Sequence, residues 1–381
     1  MATKKRNEGY VTRIVPKAIS QARQDIATWK AAIREASNVD TPKRVRLHRL
    51  YNDIMLDAHL VSQIENRKVQ TLQTSYSLYN KAGEVDEDNT ELFRSAIWMP
   101  ALISNILDTV YYGPTLVEFL TDNETLKVAS IPRTNFVPDN GILYFDETDT
   151  KGIPYREVKE FGTWLLEFGQ PKEYGLLNKT IPHVLFKRFA QSCWSELCEI
   201  YGIPPRVLKT NTQDPSMLSR GESMMRDMGA AAWFIIDETE TFEFAKGAET
   251  NGDVYGNLIK LCKDELSLLI MGAIIGQDTK HGNESKETVS LGMFENLINA
   301  DRRMIEGVMN TTVLPALYRI GMLPEGLTLG FDQEEDLGKL WGMTREALPF
   351  LEVDTEWIKN KFGIEVTGVR QSGNFPEPGE D

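Results

Sequence analysis

The chain is poor in the residues and motifs on which most catalytic and metal chemistry depends. It holds three cysteines, Cys193, Cys198 and Cys262, and four histidines, His48, His59, His183 and His281. Cys193 and Cys198 have no His or Cys partner at zinc spacing, and no two histidines stand four apart, which argues against a finger-type or helical metal site. Buried free thiols in a reducing compartment are the expectation. A Gly-x-x-x-x-Gly-Lys-Ser/Thr loop, a Gly-x-Gly-x-x-Gly after a strand and a Gly-x-Ser-x-Gly elbow are all missing. The acidic neighbours Asp146–Glu147 and Glu335–Asp336 lie in polar surroundings and read as solvated surface. No catalytic residue, metal ligand or cofactor is nominated. The longest apolar run, Leu266 to Ile275, is half a bilayer span and is interrupted by Ser267 and Gly272. Lys4, Lys5 and Arg6 precede no apolar core, so neither a signal peptide nor a membrane partner is expected.

What is present is length and an uneven charge. At 381 residues the chain can build two or three domains. The net charge of −14 argues against an extended nucleic-acid-binding surface. Its distribution says more. Residues 1–50 hold twelve Lys/Arg against four Asp/Glu, and residues 331–381 hold twelve Asp/Glu against five Lys/Arg. A basic head on an acidic body implies different partners at the two ends, or a merely solvated basic arm.

The pattern is that of an α+β protein. The first dozen residues are expected to be disordered. Ile19, Ala22, Ile26, Trp29 and Ile33 repeat at helical spacing up to about Asn38. Thr41-Pro42 then predicts a restart, with Thr41 as N-cap, and Leu47, Leu50, Ile54, Ala58, Val61 and Ile64 continue one stripe. Val69–Tyr79 reads as a strand before a turn at Lys81-Ala82-Gly83, and Asn89–Val110 as a helix. Short strands follow at Leu116–Phe119, Leu126–Ile131, Phe136–Pro138, Gly141–Phe145 and Trp164–Phe168, with a turn at Pro138-Asp-Asn-Gly141. Residues 181–201 predict a helix with Phe186, Phe189, Cys193, Leu197 and Ile200 facing inward. A small α/β module comes next: strand Arg206–Lys209, helix Met217–Met228, and strands Ala232–Ile236 and Thr241–Ala245.

Two long helices dominate the rest. One runs from Asp253 to Ile275, roughly 34 Å at 1.5 Å per residue. The other resumes near Lys286 and is kinked or ended by Pro315. Between them lies a polar loop bounded by Gly276 and Gly282, with no apolar anchor. Leu327–Phe331 reads as a strand and Glu346–Phe362 as mostly helical, ahead of a tail.

Asp57-Ala-His59-Leu-Val-Ser-Gln-Ile-Glu-Asn-Arg67, followed by a strand with Tyr76, resembles the opening helix and strand of Mu-like tailed-phage portal proteins. Gly202-Ile203-Pro204 at the head of an α/β insert resembles that family's passage from stem to clip. Asp264–Gln277 resembles its returning stem helix, and the polar loop its tunnel loop. The similarity covers roughly residues 45–335, carried by the order of weak motifs, and leaves little beyond 335 for a crown.

The resemblance implies a portal-like fold with an α/β wing, long stem helices and a small clip. It divides the chain into a basic arm and helix (1–39), wing (40–173), stem helix (174–201), clip (202–250), stem helix (251–275), tunnel loop (276–287), second wing part (288–335) and a C-terminal region (336–381). It also implies a homo-oligomeric ring of about twelve subunits, closed by head-to-tail interfaces. Double-stranded DNA would pass along the axis. Partners would be the terminase large subunit, the major capsid protein and a head-completion or adaptor protein, in a virion assembled in the host bacterial cytoplasm. A conduit must let DNA slide, so an acidic body that avoids dense phosphate neutralisation suits it. Within the loop, Lys280, His281, Asn283 and Lys286 are the nominated DNA contacts. Trp29, Trp194 and Trp233 serve either the subunit interfaces or the core. Two other readings stay open: a non-ring adaptor binding proteins through its basic and acidic ends, and a hydrolase with an unrecognised site.

Overall fold

In a computed structural model of the protein, the described residues are 26–122, 125–202, 206–227, 233–239, 252–274, 284–332, 337–348 and 353–364. The chain divides into two compact units, Met1–Phe331 and Asp332–Asp381. The first opens with α1 (Ile26–Ala36), α2 (Val45–Ile54) and α3 (Ala58–Leu72), then β1 (Tyr76–Tyr79), α4 (Glu87–Ser95) and α5 (Trp98–Tyr112). Next come β2 (Thr115–Asp122), β3 (Thr125–Ser130), β4 (Phe136–Val137), β5 (Ile142–Leu143), β6 (Ile153–Pro154) and β7 (Leu165–Phe168). The long helix α6 (Leu177–Gly202) leads to β8 (Arg206–Thr210), α7 (Pro215–Asp227) and β9 (Trp233–Asp237). Then α8 (Asp253–Met271), α9 (Glu284–Val308), a π-turn (Met309–Val313), α10 (Leu314–Arg319) and β10 (Thr328–Phe331) complete the unit. The second unit contains α11 (Leu337–Ala347) and α12 (Thr355–Phe362), joined through Trp341, Trp357 and Phe362 ring contacts.

The mixed helix-and-sheet class agrees with expectation, and several boundaries differ. Thr41-Pro42 does not start a helix. Asn38 accepts the N–H groups of Asp40 and Thr41, which holds this stretch as a turn, and α2 begins after Arg44. The apolar stripe from Leu47 to Ile64 is two helices, because Asp57 leaves helical geometry and caps α3 through the N–H groups of His59 and Leu60. Val69–Leu72 is the end of α3 instead of a strand, and α4 and α5 are separated at Ala96-Ile97. Pro315 neither ends nor breaks the helical run. The π-turn before it widens the backbone by one residue, with Leu314 N–H reaching Met309 O, and α10 continues to Arg319. The predicted helix at Glu346–Phe362 is divided between α11 and α12. The nominated strand Thr241–Ala245 and the first dozen residues lie outside the described residues.

The described residues form three cores, two of them on the faces of one sheet. Sheet β3–β2–β7 is antiparallel, and alternation sends Val117, Phe119, Leu166 and Phe168 to one side. There they pack with α5, the π-turn and β10. Leu116 and Leu165 point to the other side, into a smaller core with Phe136, Leu143 and Tyr155. The β4–β5 hairpin closes over Pro138–Gly141, where Gly141 takes φ +69°, as that turn requires. A separate core joins α1, α2, α3, α6 and α8 through Leu50, Ile54, Leu60, Ile64, Ile181, Leu266 and Ile270. Gly175 makes this junction possible: at φ +69°, a Cβ there would lie 2.2 Å from Tyr111 O. In the α/β module β8 and β9 are parallel, and Gly221 lets α7 lie directly on Leu208.

Helix α6 buries a different face from the expected one. Its core side is Leu177, Ile181, Val184, Lys187 and Ala190, while Phe186 and Phe189 are 48% and 53% exposed. The buried ion pair of Lys187 with Asp57 fixes this rotation, and the two phenylalanines turn outward with it.

Candidate functional site

The residues that organise the long helices lie on one short stretch, Asp53 to Thr74. At its start Asp53 accepts from Arg188 of α6, at 2.6 Å to the carboxylate and 2.5 Å to the carbonyl. Asp57 receives the Lys187 ammonium at 2.8 and 2.9 Å while it also caps α3. Burial alone would raise the Asp57 carboxyl. The Lys187 ammonium and the N–H groups of Leu60 and His59 outweigh burial and hold its pKa below the usual 3.8. Two residues on, His59 Nε2 lies 3.0 Å from Ser267 Oγ and 3.2 Å from Lys263 O, which joins α3 to α8.

Arg67, buried in the middle of α3, is the central member. Its Nε and Nη2 donate to both carboxylate oxygens of Asp301 on α9, each at 2.7 Å. Its Nη1 donates to Ile270 O in the last turn of α8, also at 2.7 Å. Arg302 donates to Thr74 Oγ1. One helix and its N-cap thus bind α6, α8 and α9, the three longest helices among the described residues. Below it Lys68 and Arg133 both donate to Asp108 of α5, and the Arg133 guanidinium lies over the Tyr112 ring, 4.3 Å from its centre. Arg44 is buried against Asp139 and the carbonyls of Pro171 and Glu173.

Of the nominated DNA contacts, Lys280, His281 and Asn283 lie outside the described residues. Lys286 falls in the first turn of α9, which begins at Glu284. The expected helix to Ile275 stops at Met271, because Gly272 takes φ +72° and caps the last turn through its N–H to Leu268 O. Trp29 packs against the α1–α6 core and donates to Asn178 Oδ1 at 2.9 Å, and Trp194 covers Gly252 and Gly256. Trp233 begins β9. The thiols differ from expectation: Cys262 is buried, Cys193 half-buried and Cys198 exposed, all free. Glu147 is not solvated surface either, since its side chain is buried against Arg49. Among the described residues there is no group of three or more His, Cys, Asp or Glu able to hold a metal ion. No described helix is long and apolar enough to cross a membrane.

Asp57 and Arg67 bound the family-like stretch without a role of their own there, and Asp301 and Lys187 stand in no motif, yet each leaves a mark. Arg67 continues the apolar row Leu60, Ile64, and Asp301 stands between Ile298 and Ile305. Lys187 stands between Val184 and Ala190. A charge on the apolar stripe of a helix must find a buried partner.

His48 is a second kind of buried ionisable group. Its ring sits edge-on to Tyr51 at 5.3 Å, and its Nδ1 has no hydrogen bond. Burial first, then the Arg133 and Arg44 charges, hold its pKa well below 6.5. In the folded chain His48 therefore stays neutral at a pH where in the unfolded chain it binds a proton. Stability from this residue is full above about pH 6.5 and declines as pH falls below it, by at most about 1.4 kcal/mol per pH unit. The urea midpoint of the native chain should drop between pH 7.5 and 5.5. In His48→Leu that drop should shrink, and an equal drop would remove His48 as its source.

A family model described as the portal protein of Mu bacteriophage matches residues 48–364. The portal protein of Escherichia phage Mu is 20% identical over 339 residues, covering 81% of this chain and 65% of that protein. The Mu-like prophage FluMu protein gp29 of Haemophilus influenzae is 19% identical over 291 residues, covering 69% of this chain and 55% of that protein. The chain thus spans less than two-thirds of the length of these relatives. A crystal structure of an HK97-family phage portal protein from Corynebacterium diphtheriae is 11% identical, with a TM-score of 0.40, over 80% of this chain and 98% of that one. With most of its length matched by the family model, the chain belongs to the family of the portal protein of Mu bacteriophage.

Proposed function

We propose that this chain is the subunit of a ring of about twelve copies, closed by head-to-tail contacts, at one vertex of a phage capsid. Double-stranded DNA passes through it during packaging and ejection. The observation that carries the reading is the family match over residues 48–364. In this reading 40–173 and 288–335 form the wing, 174–201 and 251–275 the stem, and 202–250 the clip. The clip docks the terminase large subunit and later a head-completion or adaptor protein. The segment 276–287 is the tunnel loop, residues 1–39 are a basic arm, and residues 336–381 are a reduced crown or tail. The ring contacts the major capsid protein, is assembled in the host bacterial cytoplasm, and catalyses no reaction.

The exposed faces of α6 and α8 support the ring. Phe186 and Phe189 are half-exposed on α6. On α8, Val254, Leu261 and Leu268 are exposed and recur every seven residues, the spacing of a helix–helix seam. Two different apolar faces on neighbouring helices suit a heterologous interface, in which one copy offers α6 and the next α8.

The test is mass and packaging together. The purified protein should weigh many times its 43.2 kDa subunit and show a ring by negative stain. Changing Lys280 and Lys286 together to alanine should preserve that mass and lower the DNA retained per particle. A solitary 43.2 kDa species would favour an adaptor, and a double variant that no longer assembles would make the loop an interface element.

A further inference from the structure

The Arg67 guanidinium spends all three of its nitrogen atoms on two consecutive helices whose bonded residues lie 203 and 234 positions from it in sequence. Two bind Asp301 of α9 and the third binds Ile270 O of α8, every bond at 2.7 Å. These are the helices that precede and follow residues 272–283. Around the same point the backbone of α8 meets α9 closely. A Cβ on Gly272 would lie 2.8 Å from Leu297 Cδ1, and Leu297 is one turn before Asp301 on α9. Apolar packing alone would hold these elements, since Leu266, Ile270, Met271 and Phe294 already fill the space. Replacing a buried ion pair with well-packed apolar side chains is often neutral or stabilising. Stability therefore does not explain why an arginine stands here. Direction does: a planar fork with three fixed bonds sets both the distance and the register between the end of α8 and the Asp301 turn of α9, which interchangeable methyl contacts leave looser.

We propose that Arg67 and Asp301 are positioning residues, a clamp that fixes the end of α8 against α9 and thereby sets where the connecting segment stands relative to DNA. The last clause rests on the portal reading. The clamp acts from α3, so anything that shifts α3 moves both flanks of that segment as one body. Lysine cannot replace it, because a single ammonium lacks the fork.

The experiment uses the full-length ring carrying Arg67→Met with Asp301→Leu, which removes both charges and orphans neither. Spin labels are placed at Ile274→Cys and Val289→Cys, both exposed, in a background with Cys193→Ser, Cys198→Ser and Cys262→Ala, with labelled subunits diluted by unlabelled ones. The parent should give one narrow distance distribution. The double variant should keep the ring mass and melt within a few degrees of the parent, yet give a broad distribution. DNA per particle should fall about ten-fold, within the range over which one structural coupling shifts an equilibrium. A distribution as narrow as the parent's overturns the clamp, and so does a broad one with full packaging. Should the double variant fail to assemble, Arg67→Lys takes its place: a broadened distribution supports the clamp and a parental one overturns it. If the parent itself packages no DNA, the portal reading fails, while the distance measurement still judges the clamp.

Discussion

Glutamate at both Phe186 and Phe189 is expected to convert the proposed ring into free 43.2 kDa subunits without unfolding them. Each ring is half-exposed in the single chain, so about half of a phenylalanine's burial, roughly 1–1.5 kcal/mol each, is left for an interface to recover. The double change forfeits both and brings two carboxylates into an apolar contact, where an unpaired charge costs several kcal/mol more. A loss of about 3 kcal/mol at one interface already weakens it on the order of a hundred-fold. A closed ring repeats the defect at every junction. Because neither side chain belongs to the chain's own core, the melting temperature of the separated subunit should hold or rise. Native mass spectrometry with a thermal melt reads both. An unchanged assembly mass would show that the outward face of α6 is not where copies meet.

That stripe also shows where the sequence was legible and where it was not. Its periodicity was visible, and its orientation was not. Phe186, Phe189, Cys193 and Leu197 fit a helix face as well as Ile181, Val184, Lys187 and Ala190 do. Hydrophobicity alone favours the aromatic face, and the true rotation is set by Asp57, 130 residues away. The strands between Thr115 and Phe168 were readable, because alternation and the Pro138–Gly141 turn are local signals. The helix breaks at Asp57 and Ala96-Ile97 were hidden, because apolar spacing runs through them. The end of α3 was misjudged for a related reason: Val69 and Thr71 prefer strands, and contacts made by Arg67 and Thr71 within the fold override that preference. The polar centre on α3 depends on partners 203 and 234 residues from Arg67, beyond the reach of any periodicity.

Alanine at Asp57 is the single change expected to damage the fold most, and three variants separate its two roles. The carboxylate caps α3 and neutralises a lysine that is itself buried. Asp57→Ala removes the cap, costing about 1 kcal/mol, and orphans Lys187, costing roughly 3–5 kcal/mol. Asp57→Asn keeps a capping oxygen and loses only the charge, so it should retain the smaller part and forfeit the larger. Asp57→Ala with Lys187→Met should recover most of the loss, since no unpaired ammonium is left, and the remaining deficit measures the cap. Acid titration checks the same assignment. The folded pKa of Asp57 lies below 3.8, so the carboxylate's contribution is complete above the unfolded value and disappears as pH falls through the folded one. The native chain should lose stability more steeply than Asp57→Asn as pH is lowered through the range below 3.8. Chemical denaturation of all three variants across that range provides the numbers. If Asp57→Ala and the double variant are equally unstable, the Lys187 pair does not hold α6 to α3, and the outward rotation of Phe186 and Phe189 needs another cause.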